Sequence, residues 1–121
     1  MTSVARRFSP TSRARDTGEE LMKAVIGDIV IAEAPVEELI KIEGNWYFPP
    51  SSVNSELLQE SATPYTCPWK GECQYFSVVT PEGTLQDRAW SYPNPYPSAF
   101  DRVGKDFTHH VAFWKEVRVI D

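Results

Sequence analysis

The sequence predicts a small, mainly β domain, an antiparallel two-sheet sandwich or open barrel with one or two short helices. Three observations carry this. A chain of 121 residues with 41% hydrophobic and 24% charged content is one globular domain's worth. Short β-branched and aromatic runs recur along it, about seven to nine in all, and turn residues separate them.

In chain order, residues 1–21 read as a flexible extension. They are rich in Ser, Thr and Arg, hold only scattered apolar side chains and cannot bury enough surface to offset their ordering entropy. They contain no apolar run of the kind a secretory leader carries; their Arg/Ser-rich, acid-poor start faintly resembles an organellar transit peptide, but Pro10 weakens the basic amphipathic helix that one needs, so the expected location is the cytoplasm. Residues 22–121 then form one β domain. Lys23–Ile26 and Ile29–Ala32 flank Gly27-Asp28, a pair suited to the positive φ of a tight hairpin turn. Leu39–Ile42 and Trp46–Phe48 repeat the pattern around Glu43-Gly44-Asn45 and stop at Pro49-Pro50, which cannot donate to a ladder. Ser51 or Ser52 is placed to cap a short helix over Val53 to Leu58.

Beyond a Thr/Pro/Ser loop, Glu72 to Val79 alternates as a central strand. Thr80-Pro81-Glu82-Gly83 turns the chain, and Gln86 to Tyr92 pairs back. Tyr92 to Pro97 is too proline-dense for an interior strand and is expected to run extended over the surface, before a short turn of helix at Ser98 to Arg102. His109 to Trp114 and Val117 to Ile120 complete the strands.

Charge and composition exclude several functions. Twelve Lys and Arg against seventeen Asp and Glu give −5, without the cationic excess that duplex nucleic acid demands, and no apolar stretch approaches the length of a membrane helix. The extension carries +1, which leaves −6 on the domain. Cys67 and Cys73 lie six apart with no CxxC and no second pair, so structural zinc is not expected, and adjacent His109 and His110 on a strand would point to opposite faces. A Cys67–Cys73 disulfide is improbable in a reducing compartment. No cofactor and no oligomeric state is assigned.

Three features bear on chemistry. Cys67 or Cys73 with His109 or His110 is the one nucleophile–base pairing worth naming; against it stands a buried cysteine packed as a small hydrophobe. Lys70-Gly71, in a loop before a strand, offers an ammonium and an approachable backbone to an anion, or else is a solvated lysine beside a turn glycine. Trp46, Trp69, Trp90 and Trp114, with five Tyr and six Phe, are unusual in a chain this small; some of them must be core, and Trp69 and Trp90 suit the wall of a ligand pocket as well as a core edge. Glu37-Glu38 reads as solvated surface.

Cys67-Pro68-Trp69-Lys70-Gly71 with Tyr75-Phe76-Ser77-Val78, then Ala89-Trp90-Ser91-Tyr92-Pro93-Asn94-Pro95, then His110-Val111-Ala112-Phe113-Trp114 form an ordered set. With Gly44-Asn45 and Tyr47-Phe48-Pro49 upstream, this set resembles the bacterial domain-of-unknown-function family 427 over nearly all of residues 22–121. The resemblance implies a β-tent-like domain, in which two antiparallel sheets meet at one end and splay at the other, and a group that includes methionine sulfoxide reductase B-like and cereblon ligand-binding-like domains. The family is sometimes labelled a nucleotidyltransferase domain, yet the carboxylate pairing of such an enzyme and the zinc-binding cysteine pairs of many β-tent relatives are both absent here. The motif positions that could serve a site are Cys67, Lys70, Gly71, Trp90, Tyr92 and His110. Three functions follow as expectations: a module binding a small polar or anionic ligand, such as a nucleotide, through Trp69, Lys70, Gly71, Trp90 and Tyr92; an enzyme of nucleotidyl-transfer or thiol type using Cys67, Lys70 and His110; or an interaction domain presenting Tyr92 to Pro97.

Overall fold

A computed structural model describes residues 20–121. The extension expected over residues 1–21 falls outside them except for Glu20, whose carbonyl accepts from the Val36 amide, and Leu21, which opens the first strand. The described chain is mainly β. Strands β1 (Leu21–Ile26) and β2 (Ile29–Pro35) form the first hairpin about Gly27, whose φ of 57° the tight turn requires. The second pairs β3 (Ile40–Ile42) with β4 (Asn45–Tyr47), and Glu43 and Gly44 supply positive φ values of 53° and 86°.

The helix expected over Val53 to Leu58 does not form. Val53 bridges Ala32 and the Asn54 amide donates to the Ile31 carbonyl at 2.8 Å, which pins the chain to β2. Only a 3-10 turn, Ser55–Leu57, fits before Leu58 enters β5 (Leu58–Glu60) and pairs with Val78. The expected central strand is also divided. Thr66–Cys67 (β6) pairs with Gly71–Glu72 (β7), the Cys73 amide donates to the Tyr65 carbonyl, and β8 (Gln74–Thr80) starts afresh. Strand β9 (Gly83–Ser91) returns along β8 with a bulge between Leu85 and Ala89, where Asp87 has a φ of 57°.

The helix after the proline segment does form, as α1 (Pro97–Val103), with Pro in its first turn and Gly104 closing it at φ 84°. His109 has a φ of 61° and lies in a turn, so the next strand, β10 (Val111–Phe113), opens two residues later than expected; β11 (Arg118–Ile120) follows. Among the described residues eleven strands form four antiparallel sheets, where the sequence suggests two: β10-β9-β8-β5, β11-β1-β2, and the ribbons β3-β4 and β6-β7.

Both faces of the four-stranded sheet are covered, and strand alternation sorts side chains between two cores. Ala89, Val111 and Phe113 pack with Met22, Ala24, Ile31 and Phe48 in the first core. Their neighbours Trp90 and Ala112 point the other way and pack with Ile40, Ile42, Tyr47, Cys67, Tyr92, Ala99 and Phe107 in the second. A reciprocal pair of 2.8 Å backbone hydrogen bonds between Phe48 and Val111 fastens the β3-β4 ribbon to the sheet edge.

Candidate functional site

Beside the second core lies a hollow of about 320 Å³ lined mainly by aromatic side chains. Six of its ten described lining residues are aromatic: Tyr47, Tyr65, Tyr75, Trp90, Tyr92 and Trp114. The other four are Glu43, Asn45, Lys70 and Cys73. Each comes from a different structural cause. Trp90 at the end of β9 and Tyr92 just beyond it share one face because they are two residues apart, while Ser91 between them lines a separate hollow with His109. Tyr47 ends β4 and accepts a 3.0 Å hydrogen bond from Trp90 Nε1, so the deepest part of the wall is satisfied internally.

The aromatic rings form a continuous belt. Tyr47 meets Trp90 edge-on, Trp90 meets Trp114 edge-on at 5.2 Å between centroids, and Trp114 stacks on Tyr75 at 6.5 Å. Trp114 Nε1 donates to the Asp87 carbonyl at 2.7 Å, which turns the β9 bulge into the anchor of an otherwise exposed ring.

Lys70 is buried, with 4% of its surface exposed. Its ammonium is paired with the Glu43 carboxylate and lies 4.7 Å from the Trp69 ring centroid and 5.4 Å from that of Tyr92, so its charge is met on several sides. The second oxygen of Glu43 accepts from Trp69 Nε1 at 3.4 Å, and the Arg102 guanidinium lies 4.4 Å from the same indole. The hydrogen bond from Lys70 is the main reason the Glu43 carboxyl is held below its ordinary value.

Gly71 fixes the loop that carries Lys70. At φ 118°, a Cβ here would meet the Asn94 carbonyl oxygen at 3.2 Å, and the Tyr96 amide donates to the Lys70 carbonyl at 3.0 Å. The proline-rich segment is therefore strapped against this loop, with Tyr92 buried and Tyr96 exposed, where the sequence suggests a free-running surface strand. Its own backbone takes the close approach that the sequence offers to an anion.

The sequence-predicted residues thus divide. Lys70, Trp90 and Tyr92 line one hollow; Trp69 stands behind Lys70; Gly71 holds the loop; and Cys67 and His110 are not among the lining residues. Cys67 is packed in the second core, and His110 Nδ1 lies 3.3 Å from the Thr108 carbonyl. The cysteine in the lining is Cys73, whose thiol burial pushes up to about 11, with Cys67 adding to the shift and Lys70 opposing it. Burial likewise drives the Tyr47 and Tyr92 hydroxyls far above the usual phenol range, so both stay neutral. The sequence reading does not place Glu43, Asn45, Tyr47, Tyr65, Tyr75 or Trp114 in the site: it gives Glu43 and Asn45 to a turn and the four aromatics no role in a ligand wall.

Among the described residues no three His, Cys, Asp or Glu side chains converge as metal ligands would, and no helix is long and apolar enough to cross a membrane. A larger open hollow of about 680 Å³ lies between the Gly27-Asp28 and Pro81-Glu82 turns, but neither an aromatic nor a basic side chain is among its described lining residues. The model of a family described as a domain of unknown function, DUF427, matches residues 17–121. No curated protein matches the chain significantly.

Proposed function

The chain belongs to the DUF427 family, and we propose that it is a small-molecule binding module that seats a planar polar or anionic ligand, nucleotides included, in the aromatic hollow. One observation carries the reading: a buried ammonium, that of Lys70, stands in the wall of a hollow otherwise lined mainly by aromatic rings. Aromatic walls remove a planar group from water at low entropic cost, and a few polar groups among them fix its orientation. Lys70, Asn45 and the neutral tyrosine hydroxyls supply those polar groups. The volume, about 320 Å³, is at the small end of ligand sites and suits a compact molecule.

Thiol chemistry has weaker support. The thiol in the hollow is the protonated, unreactive form at neutral pH, and a nucleophile needs the thiolate.

The test is calorimetric titration with a panel of planar molecules, anionic and neutral, together with the Trp114 and Trp90 fluorescence response. Saturable binding that Trp114→Ala weakens about tenfold or more, through loss of a ring face, is the expected result. Absence of saturable binding across the panel at millimolar concentration, with the protein folded, overturns the reading.

A further inference from the structure

We propose that the Glu43 carboxylate is a built-in placeholder for the ligand's own anionic group, and that the ligand is a planar aromatic monocarboxylate whose carboxylate displaces Glu43 from Lys70. This rests on the ligand-binding reading of the same hollow.

The argument begins with the unequal burial of the pair. The Lys70 side chain is 5% exposed and that of Glu43 is 55% exposed. A buried ammonium cannot leave its place without carrying its charge through aromatic surroundings, whereas Glu43, on a two-residue turn at the mouth, can swing into water and regain full hydration. The pair therefore opens from one side only.

Charge balance then selects the ligand class. Lys70 is the sole basic residue among the described lining residues and Glu43 the sole acidic one. Exchanging one carboxylate for another leaves the charge around Lys70 unchanged. A phosphate dianion would bring a second negative charge to a lining with one cation, and Arg102, the further cation beside Glu43, lies over the Trp69 indole and is not among the described lining residues. The rest of the ligand lies against the belt formed by Tyr75, Trp90 and Trp114, which asks for a planar ring.

Groups facing Glu43 from the elements around it are Lys70 and Trp69 on the β6-β7 loop, Arg102 on α1 and the neutral Tyr47, Tyr92 and Cys73 of the hollow. Protonating Glu43 therefore removes the competitor without creating another anion at the mouth. A ligand that stays ionised in acid should bind more tightly as Glu43 gains its proton.

The experiment titrates the full chain with 2-naphthoate, the neutral 2-naphthamide, 2-naphthalenesulfonate and adenosine monophosphate, in wild type, Glu43→Gln and Glu43→Asp, with near-ultraviolet circular dichroism as the check on folding. Glu43→Gln should raise 2-naphthoate affinity about tenfold and leave 2-naphthamide within about twofold; Glu43→Asp, with a shorter reach, should raise it less. Wild-type affinity for the sulfonate should hold steady from about pH 7 to about pH 5 and rise as the pH falls below 4.5, the ordinary value beneath which Lys70 holds the Glu43 carboxyl, and that of Glu43→Gln should stay flat. If 2-naphthamide binds all three proteins as well as 2-naphthoate does, the placeholder inference fails while the binding reading stands. If adenosine monophosphate gains more than 2-naphthoate from Glu43→Gln, the carboxylate assignment is overturned in favour of phosphate. Binding of no probe to any folded variant overturns both.

Discussion

Lys70 keeps 5% of its side chain exposed where its ion-pair partner Glu43 keeps 55%, so the two halves of this pair have different alternatives when the other is removed. Glu43→Ala strands an ammonium in an aromatic wall and should cost about 2–3 kcal/mol of unfolding free energy. Lys70→Met leaves a carboxylate already in contact with water and places an apolar side chain of similar length in the wall, so it should cost less than about 1 kcal/mol. Urea denaturation of the two variants measures the difference. Equal losses would mean that the burial asymmetry is not maintained in solution.

The Trp90–Tyr47 hydrogen bond is buried and joins residues 43 apart in sequence. Trp90→Phe and Tyr47→Phe should each cost about 1–3 kcal/mol, since each leaves its partner's polar atom unpaired in the wall. The double variant should cost less than the sum by about 1 kcal/mol. A double-mutant cycle by chemical denaturation checks this, and strict additivity would show that the bond does not couple the ribbon to the sheet.

Gly71→Ala should destabilise by about 1–3 kcal/mol. The new Cβ meets backbone, the Asn94 oxygen at 3.2 Å, and φ 118° is disfavoured for any residue with a side chain. Gly104→Ala, also at positive φ but with open space around it, separates the two causes: it should cost only the conformational part, about 1 kcal/mol. Thermal unfolding of both variants gives the comparison.

Alkaline stability should fall in a defined window. The Cys73 thiol rises from an ordinary value of 9.0 to about 11 in the folded protein, so above about pH 9 the unfolded chain loses a proton that the native state keeps. The contribution of the protonated thiol is complete below 9.0 and is lost as pH climbs towards 11, a change of the order of 2 kcal/mol. The buried hydroxyls of Tyr47 and Tyr92 act in the same direction at higher pH. Denaturation midpoints measured from neutral to alkaline pH should decline, and Cys73→Ala should flatten the first part of the decline. In parallel, iodoacetamide should modify Cys73 in the folded protein far more slowly at pH 8 than in the denatured chain.

Local chemistry made much of the fold readable. Gly27-Asp28 and Pro81-Glu82 turn where their backbone preferences say they should, and Pro97 opens a helix that Gly104 closes. Where long-range contacts override such preferences, the sequence misleads: Val53 and Asn54 are held by β2, so the helix expected there shrinks to a 3-10 turn. In the hollow, Trp90 and Tyr92 are readable as one face from their spacing. Lys70 and Trp90 line one hollow only because distant segments of the chain converge, which no local pattern encodes. Glu43 carries a weak signal in hindsight, a carboxylate at the apex of a tight turn whose following strand is aromatic.

The β3-β4 ribbon, fastened at Phe48 and Val111, brings Glu43, Asn45 and Tyr47 to the hollow from one small unit. Were that ribbon to peel away in a sub-global opening, the sheet β10-β9-β8-β5 would keep its ladder while three of the ten described lining side chains departed together. Amide hydrogen exchange would register such an event as shared protection in Ile40 and Tyr47, a hydrogen-bonded pair of the ribbon, lower than that of Val78 and Ala89. A bound ligand that bridges ribbon and sheet would slow exchange selectively in the ribbon, giving occupancy a kinetic signature independent of any catalytic assay.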